Sequence, residues 1–430
     1  MDWHAHYRDH LTTAAQAVTR IRSGDTVVIQ HACAEPTALV DAMVANADAY
    51  EGVEICHVLT MGKSAYCAPG MERHFHLNAT FIGGLTRAAV NEGRADLTPL
   101  FFSQYPKWLR MNEPDVALLH LSEPDEHGYC SFGVGVDYAR AAQQSARTVI
   151  AQVNPHMPRV LGDASVHVTD LDAIVEVCDP IIELPPPVLG EVEMKIGENC
   201  ASLINDGDTL QLGIGAIPDA VLRFLTHKKD LGIHSEMFSD GVVELIEQGV
   251  VTNSRKTLHP GQCVATFLMG TRKLYDYVHD NPAVHMAPVD YTNNPQVIGR
   301  NDNLVAINSC VQVDLQGQVV SSSAGLRQIS AIGGQADFVR GAAMSAGGRS
   351  IMAMPSLAKG GVSKIIPVID QGSAVSTSRE DVDYIVTEYG VAHLWGQTLR
   401  ERARRLIEIA HPSVRESLSE ECVRRYGTHA

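Results

Sequence analysis

Residues 133–142 read GVGVDYARAA, and residues 333–342 read GGQADFVRGA. The two stretches have glycine, aspartate, arginine and alanine at the same spacing, and an aromatic residue follows each aspartate. A stretch that recurs within one chain indicates a repeated structural unit. The pair therefore suggests that the chain contains the same fold twice.

Four other pairs of segments recur in the same order. Their separation grows from 183 residues (207 minus 24) at the first pair to 211 residues (381 minus 170) at the last, as small insertions in a second copy would produce. The pairs are SGDTV at 23–27 with DGDTL at 206–210, the turn DEHG at 125–128 with DLQG at 314–317, RTVIA at 147–151 with RSIMA at 349–353, and DLDAIV at 170–175 with DVDYIV at 381–386. Five pairs in one order predict two tandem copies.

Each copy alternates short β-branched runs with helical stretches, which predicts an open α/β domain with a mostly parallel sheet. The two polar turns at 125–128 and 314–317 are each predicted to close a hairpin. The three prolines at 185–187 exclude a helix or a central strand and predict an extended connector. We therefore predict domains 1–187 and 188–430. The predicted strands are 26–29, 116–121, 304–307 and 351–354, and the predicted helices are 40–47, 220–225 and 399–409.

The composition excludes several classes of protein. The chain has 430 residues and a formal net charge of −16, from 34 Lys and Arg against 50 Asp and Glu, which disfavours a nucleic-acid partner. It has no run of 18 apolar residues and no basic, apolar leader at its start, so we expect no membrane span and a cytoplasmic location. The nine cysteines are scattered without a C-x-x-C pair, which predicts free thiols.

The turn at 212–218, LGIGAIP, joins a predicted strand to a predicted helix. Gly213 and Gly215 would let an anionic or carbonyl group of a ligand approach the start of that helix. Pro218 stands where a dinucleotide-binding motif has its third glycine, which disfavours a nicotinamide cofactor. The sequence Gly-Lys-Ser at 62–64 lacks the upstream glycine of a phosphate-binding loop.

Glu236 lies in the run LGIHSEMF at 231–238, which reads as a strand that ends near this glutamate. Ligands in open α/β sheets bind beyond the carboxyl ends of strands, so Glu236 is a candidate catalytic group. Most glutamates are solvated or paired with a cation, and spacing alone does not separate these roles. The corresponding region of the first copy, 79–84, has no carboxylate.

Other candidate centres are weak. His74 with His76, and His4 with His6, lack cysteine or carboxylate partners at the spacing of a metal site, so no metal is expected. Cys33 near His31 lacks the motif context of a cysteine hydrolase.

Five stretches of the second half are similar to the acetyl-CoA hydrolase/transferase family and, within it, to the 4-hydroxybutyrate CoA-transferases. The similarity extends from SGDTV near residue 23 to IAHPSVRESL at 409–418. The five stretches are GIGAIPDAVL at 213–222, GIHSEMFSDG at 232–241, AINSCVQVDLQGQV at 306–319, GGQADFVRGA at 333–342 and VDYIVTEYGVAHLWGQTLRERA at 382–403.

This resemblance implies two similar α/β domains of CoA-transferase type and a homodimer. It also implies that Glu236 is the nucleophile, that an acyl-CoA and a short-chain carboxylate are the substrates, and that no cofactor is permanently bound. The resemblance further supports the Gly-Gly-Gln run at 333–335 as part of the CoA and oxyanion site.

The chemistry suits a glutamate because an ionised carboxylate can attack a thioester without a general base. Each step passes through a tetrahedral oxyanion, for which the N–H groups of Gly333 and Gly334 and the side-chain amide of Asn308 are the candidate donors. Contacts to CoA, whose remote parts supply binding energy, are expected from a second set of residues. This set comprises Gln211, Gly213, Gly215, Gly333, Gln335 and Lys364.

Three alternatives remain open at this stage. An acyl-CoA hydrolase would use the same Glu236 and admit water to the intermediate. A non-enzymatic module would bind acyl-CoA without turnover, and a nicotinamide dehydrogenase would transfer hydride. The acyl group and the acceptor, with acetate, 4-hydroxybutyrate, butyrate and propionate as candidates, do not follow from the sequence because small differences in a substrate change binding by only a few kcal/mol.

Overall fold

The computed structural model describes residues 2–427 and has a mixed α/β fold. The chain forms two compact units. Unit 1 takes the chain up to Pro185 together with Val264–Thr292, and unit 2 takes Pro186–Cys263 and the chain from Asn293 onward. The units differ from the predicted domains 1–187 and 188–430 chiefly in residues 264–292, which belong to unit 1.

Backbone hydrogen bonds explain why residues 264–292 belong to unit 1. The carbonyl oxygen of Thr266 accepts from the N–H groups of Val136 and Asp137, each at 3.0 Å. The N–H of Met286 donates to the carbonyl oxygen of Leu161 at 2.8 Å. Because these bonds join residues distant in sequence, a repeat pattern does not reveal them.

The main sheet of unit 1 has seven strands, all parallel. An apolar cluster of this unit contains residues of the central strands, including Val27, Ile55 and Leu118, all without solvent exposure. Such burial accounts for their nearly continuous apolar sequences. In spatial order the strands are Ala95–Leu97, Phe75–Ala79, Val53–His57, Thr26–Ile29, Val116–Leu121, Thr148–Val153 and Ala173–Glu176.

The main sheet of unit 2 has four parallel strands at its centre and antiparallel strands beside them. A short strand, Gly232–Ile233, adds a parallel pairing to Thr209–Leu212. In spatial order the other strands of the unit's sheet are Met237–Phe238, Thr209–Leu212, Leu304–Ser309, Arg349–Ala353, Tyr384–Thr387 and Gly390–His393.

The predicted duplication is confirmed by the order of the central strands. In each unit the strand that begins at the Gly-Asp-Thr turn lies beside the strand that precedes the polar turn. The strands of the last two recurring segments then follow in the same spatial order. The corresponding strands are Thr26–Ile29 and Thr209–Leu212, Val116–Leu121 and Leu304–Ser309, Thr148–Val153 and Arg349–Ala353, and Ala173–Glu176 and Tyr384–Thr387. The fold is therefore two similar α/β units, as the sequence predicts.

One ion pair recurs in both units. Arg147 lies 3.1 Å from Asp25 in unit 1, and Arg349 pairs with Asp208 in unit 2. Both aspartates directly precede the first central strand of their unit, and both arginines lie at or next to the start of the third. The pair in unit 2 is the more buried, with side-chain exposures of 18% and 4% against 43% and 9%.

The two polar turns have the same internal hydrogen bonds. Asp125 Oδ1 accepts from the N–H groups two and four residues later, and Asp314 Oδ1 does the same. The second turn closes a hairpin between Gln312–Asp314 and Val319–Val320, as predicted. After the first turn the prediction holds only in part, because Tyr129–Ser131 takes Ser165–His167 as its antiparallel strand.

The remaining elements differ in bounds from the predictions mainly at the helix starts, where apolar periodicity sets no clear limit. The predicted helices 40–47, 220–225 and 399–409 are Thr37–Ala45, Ala216–Arg223 and Leu399–Glu408. The other α-helices are Trp3–His10, Ala14–Ala17, Arg87–Asn91, Tyr105–Asn112, Ala139–Ser145, Glu191–Ala201, Asp240–Glu247, Arg272–Val278, Val289–Thr292, Pro295–Ile298, Gln335–Met344 and Pro412–Tyr426. The other short strands are Cys263–Ala265, Phe267–Leu268, Val284–Met286, Ser323–Ala324, Arg327–Gln328 and Ile365–Ile366.

Two further features concern the whole described range. No helix within residues 2–427 is long and apolar enough to cross a lipid bilayer. The nine cysteines, all of which lie in this range, are free thiols.

The recurring ion pair gives a stability test with an internal control. We expect Arg349→Met to lower the free energy of unfolding by about 3 kcal/mol, because the buried Asp208 carboxylate loses its cationic partner. Arg147→Met is the matched change in unit 1, and we expect a loss of about 1 kcal/mol or less because that guanidinium is more exposed. Denaturant unfolding followed by circular dichroism measures both. Equal losses of unfolding free energy in the two variants would contradict the expectation that the more buried ion pair contributes more.

Candidate active site

Glu236 lies in a break between two short strands. Gly232–Ile233 pairs parallel to Thr209–Leu212, and Met237–Phe238 pairs antiparallel to the same strand. The prediction of a single strand over 231–238 is therefore wrong. Glu236 occupies the connection between the two strands, and its side chain is half-buried.

The break has a local cause in Ser235. The Ser235 hydroxyl donates to the carbonyl oxygen of Leu212 at 3.0 Å and accepts from the N–H of Leu212 at 3.2 Å. The Ser235 hydroxyl thus makes the hydrogen bonds to Leu212 that the backbone of a paired strand would otherwise make. The N–H of His234 still donates to the carbonyl oxygen of Leu210 at 3.1 Å, but residues 235 and 236 leave the ladder. Glu236 therefore does not follow the alternation of a strand.

Asn293 holds the Glu236 carboxylate. Its Nδ2 donates to Glu236 Oε2 at 2.7 Å, and its side chain is fully buried. Because an ionised carboxylate only accepts hydrogen bonds, this contact fixes the orientation of the amide. The Oδ1 atom of Asn293 is then buried without a hydrogen-bond partner among the described residues. No sequence signal points to Asn293, since the run Asn-Asn-Pro at 293–295 reads only as a helix start.

Gly334 lies directly against the same carboxylate. A Cβ atom at this position would overlap both Glu236 Oε2 and Asn293 Nδ2. Gly334 is also the N-cap of the helix Gln335–Met344. The start of a helix has N–H groups without helical partners and a partial positive charge, which favours an anion there. The structure therefore brings together two of the predicted catalytic residues, Glu236 and Gly334.

Asn308, the third predicted catalytic residue, pairs with Gln211. Asn308 Nδ2 donates to Gln211 Oε1 at 3.0 Å, and Gln211 Nε2 donates back to Asn308 Oδ1 at 3.4 Å. The two residues lie on neighbouring parallel strands, Thr209–Leu212 and Leu304–Ser309. In this structure the Asn308 amide is thus engaged by Gln211, and the amide that contacts Glu236 is that of Asn293.

The predicted glycine turns have the backbone that their roles require. Gly215 is the N-cap of the helix Ala216–Arg223 with φ of 105°, and Gly333 has φ of 54°, both in the region that favours glycine. A Cβ at Gly213 or Gly215 would meet no atom within 4 Å. The turn therefore has open space beside it, which a ligand could occupy.

Two predicted CoA contacts are engaged by other groups of unit 2. Gln335 Nε2 lies 3.2 Å from both Met352 Sδ and Thr377 Oγ1, and its side chain is buried. Lys364 Nζ donates to the carbonyl oxygen of Cys310 at 2.9 Å, and burial lowers its pKa. Both side chains thus already have partners within unit 2, and the Lys364 ammonium, with three N–H donors, can still donate to a ligand.

The weaker candidates lie in unit 1 and show no catalytic arrangement. Burial raises the pKa of the Cys33 thiol to about 11, so the thiolate is disfavoured. His31 instead pairs with Asp137 at 3.0 Å. Across residues 2–427 no group of three or more His, Cys, Asp or Glu side chains is placed to hold a metal ion.

Comparison with known proteins identifies the family. The family model of the acetyl-CoA hydrolase/transferase N-terminal domain matches residues 1–184, and that of the C-terminal domain matches residues 270–422. The chain belongs to the acetyl-CoA hydrolase/transferase family.

Relatives and solved structures agree with this assignment. The 4-hydroxybutyrate coenzyme A transferase of Clostridium kluyveri is 60% identical over 429 residues, which are 99% of this chain and 100% of that protein. RipA from Yersinia pestis has a TM-score of 0.94 at 40% identity, covering 99% of this chain and 100% of that one. A 4-hydroxybutyrate CoA-transferase from Porphyromonas gingivalis has a TM-score of 0.86 at 44% identity, with the same coverage.

The comparisons also separate transfer from hydrolysis. Relatives from 35% to 60% identical are named CoA-transferases, so the chain is an enzyme that transfers CoA. A named acetyl-CoA hydrolase, from Schizosaccharomyces pombe, is only 26% identical over 79% of this chain and 73% of that protein.

The contact at Gly334 predicts a strong effect of one methyl group. We expect Gly334→Ala to lower kcat by about 100-fold, because the added Cβ must displace the Glu236 carboxylate by a large fraction of an ångström or more. The control is Gly84→Ala, the second glycine of the Gly-Gly pair in unit 1, where a Cβ meets no atom within 4 Å. Steady-state kinetics with thermal melting measures both variants. Full activity in Gly334→Ala would contradict the role of this contact.

Proposed function

We propose that the enzyme transfers CoA through a covalent thioester on Glu236, between an acyl-CoA and a short-chain carboxylic acid. The 60% identity to a named 4-hydroxybutyrate coenzyme A transferase favours 4-hydroxybutyrate as one acid, with acetate as its exchange partner. The observation that carries the mechanism is the Glu236 carboxylate held by Asn293 against Gly334. CoA is a substrate in this scheme, and no permanently bound cofactor takes part.

The reaction needs a group that can replace either acid, and a glutamate side chain is itself a carboxylate. Glu236 attacks the thioester carbonyl, which releases CoA thiolate and forms a mixed anhydride. The thiolate attacks the Glu236 carbonyl, which releases the first acid and leaves a glutamyl-CoA thioester. The second acid then opens this thioester by the same two steps in reverse. Ping-pong kinetics follow from this order.

Asn293 and Gly334 suit the stabilisation of the oxyanion on Glu236. When thiolate attacks the acylated side chain, one Glu236 oxygen becomes negatively charged, and the Asn293 amide is already placed to donate to Oε2. Donors set in advance in this way contribute about 3–4 kcal/mol each to the transition state. The N–H groups at Gly333 and Gly334 are further donor candidates, because they lie beside the start of the helix Gln335–Met344.

CoA binding is assigned to the open glycine turn and the amide pair of the central strands. The turn at Gly213 and Gly215 leaves room for the backbone-level approach of a ligand, and Gln211 and Asn308 offer amide groups on the adjoining strands. Gln335 and Lys364 remain proposed contacts for CoA, although both side chains already have hydrogen-bond partners in unit 2. Binding energy from these remote groups can be used at the reacting thioester.

From the family to which the chain belongs we also infer a homodimer and a cytoplasmic location. Light scattering of the purified enzyme tests the dimer, and a monomer would contradict it. Hydrolysis remains a side reaction to test. Conversion of another acyl-CoA into acetyl-CoA that depends on added acetate supports transfer, whereas release of free CoA without an acceptor acid supports hydrolysis.

The covalent step predicts an adduct on one peptide. After incubation with acetyl-CoA and no acceptor acid, we expect the peptide that contains Glu236 to carry CoA as a thioester, detected by peptide mass mapping. Glu236→Gln removes the nucleophile while keeping the shape, so we expect it to form no adduct and to lose transfer. An adduct on a cysteine peptide, or full turnover in Glu236→Gln, would exclude the mechanism.

The Asn293 contact predicts a characteristic response to pH. We expect Asn293→Ala to lower kcat by about 100-fold through loss of one donor. Asn293→Asp should be worse at neutral pH, because two carboxylates then face each other, and should recover as the pH falls from about 8 to about 5. The recovery follows because the like charge raises one carboxyl pKa, and the protonated group can donate. Parallel pH profiles for the two variants would contradict this role.

A further inference from the structure

The strand that leads to Glu236 is held by two side chains from one loop. The N–H of Ile233 donates to Asn253 Oδ1 at 2.8 Å, and the carbonyl oxygen of Ile233 accepts from Lys256 Nζ at 2.7 Å. Ile233 lies three residues before Glu236 in the chain. Both backbone polar groups of this residue are therefore bound by side chains.

Lys256 is built into unit 2 and is not a surface lysine. It is 5% exposed, and its Nζ also donates to the carbonyl oxygen of Gln262 at 2.7 Å. A Cβ at Gly232 would overlap Lys256 Cγ, so the lysine stem passes where a side chain of the strand would otherwise lie. Gly232 thus leaves room for the aliphatic part of the Lys256 side chain, and the Ile233 carbonyl oxygen accepts from its ammonium group.

The charge of Lys256 is held at a cost. Burial lowers its pKa to about 7, against 10.5 for a free lysine, and the nearby Cys263 opposes part of this shift. Burial and the charge of Lys256 in turn lower the pKa of His259. A buried ammonium that bridges two backbone carbonyls is not an efficient way to gain stability, because desolvation opposes its hydrogen bonds. Its geometry, which joins the strand before Glu236 to the turn at Gln262, is suited instead to fixing a position.

We propose that Lys256, together with Asn253, is a positioning residue that sets the place of Glu236 for CoA transfer. This inference rests on the proposed role of Glu236 as the nucleophile. Lys256 contacts Ile233 and not the reacting groups, so it acts through the backbone of residues 233–236. The N–H groups of Gly232 and His234 donate to the carbonyl oxygens of Asp208 and Leu210 at 2.9 and 3.1 Å, so the sheet holds one edge of this strand. Asn253 and Lys256 hold the opposite edge, at Ile233.

The test replaces the Lys256 ammonium group and keeps an unbranched apolar side chain in its place. We expect Lys256→Met to lower kcat about 10- to 100-fold, because misplacement of a reacting group by about 1 Å has effects of this size. KM for acyl-CoA should stay within about twofold, since no CoA contact is changed. The rate at which CoA adds to the Glu236 peptide in a single turnover should fall in parallel with kcat.

The matched control is Lys228→Met. Lys228 Nζ also donates to a buried backbone carbonyl of unit 2, that of Ile204 at 2.6 Å, but it does not touch the strand before Glu236. We expect this variant to keep its kcat. An equal loss in both lysine variants would mean general destabilisation and would overturn the proposal.

Substitutions at Asn253 test the same positioning role without changing Lys256. Its φ of 56° is tolerated by glycine and aspartate, so neither replacement strains the backbone. Asn253→Asp keeps the oxygen that accepts from Ile233 and should retain most of the activity, whereas Asn253→Gly should lose kcat as Lys256→Met does. Equal kcat in Asn253→Asp and Asn253→Gly would contradict the positioning role of Asn253.

The outcomes separate this proposal from the mechanism on which it rests. If Glu236→Gln is inactive and Lys256→Met has the kcat and melting temperature of the unchanged enzyme, only the positioning role is wrong. If Glu236→Gln retains full turnover, the nucleophile is wrong, whatever Lys256 does. Loss of kcat in Lys256→Met with an unchanged KM and a folded protein supports the proposal.

Discussion

The close approach between the Glu236 carboxylate and Gly334 is the constraint on which the site of unit 2 depends. A Cβ at residue 334 would overlap Oε2, so the helix Gln335–Met344 can begin beside the carboxylate only because this residue is glycine. The helix start favours negative charge, and Asn293 adds an amide N–H. The Asn293 amide and the start of this helix therefore both favour a carboxylate that is partly removed from water.

The two copies of the fold share ion pairs near the starts of their central strands but differ in the residues at the ends of these strands. The recurring ion pairs of Asp25 with Arg147 and of Asp208 with Arg349 lie near the amino ends of the central strands. The carboxyl ends, where ligands bind in such sheets, differ between the units. The first copy has no carboxylate at the position corresponding to Glu236. The ion pairs at the strand starts are thus shared by both copies, whereas the proposed nucleophile is found in one copy.

The sequence predicted the parts of the fold that depend on local pattern. The β-branched runs at 26–29 and 116–121 match their strands residue for residue, and the glutamate was selected by its motif. The break at Ser235 was missed, because β-propensity does not show that a hydroxyl will replace a backbone partner. Asn293 was missed because it reaches Glu236 across 57 residues of chain, where only the tertiary structure relates the two.

The arrangement around Glu236 also bears on the competition between transfer and hydrolysis. An anhydride on Glu236 survives only if water does not reach it before thiolate does. On the side of Oε2, the backbone of Gly334 and the fully buried Asn293 side chain leave no room even for a methyl group. This packing occupies the space beside Oε2 at the position of a residue-334 side chain. In the proposed mechanism the contacts that orient the carboxylate would thus also shield one side of the intermediate, so the same three residues would serve both purposes.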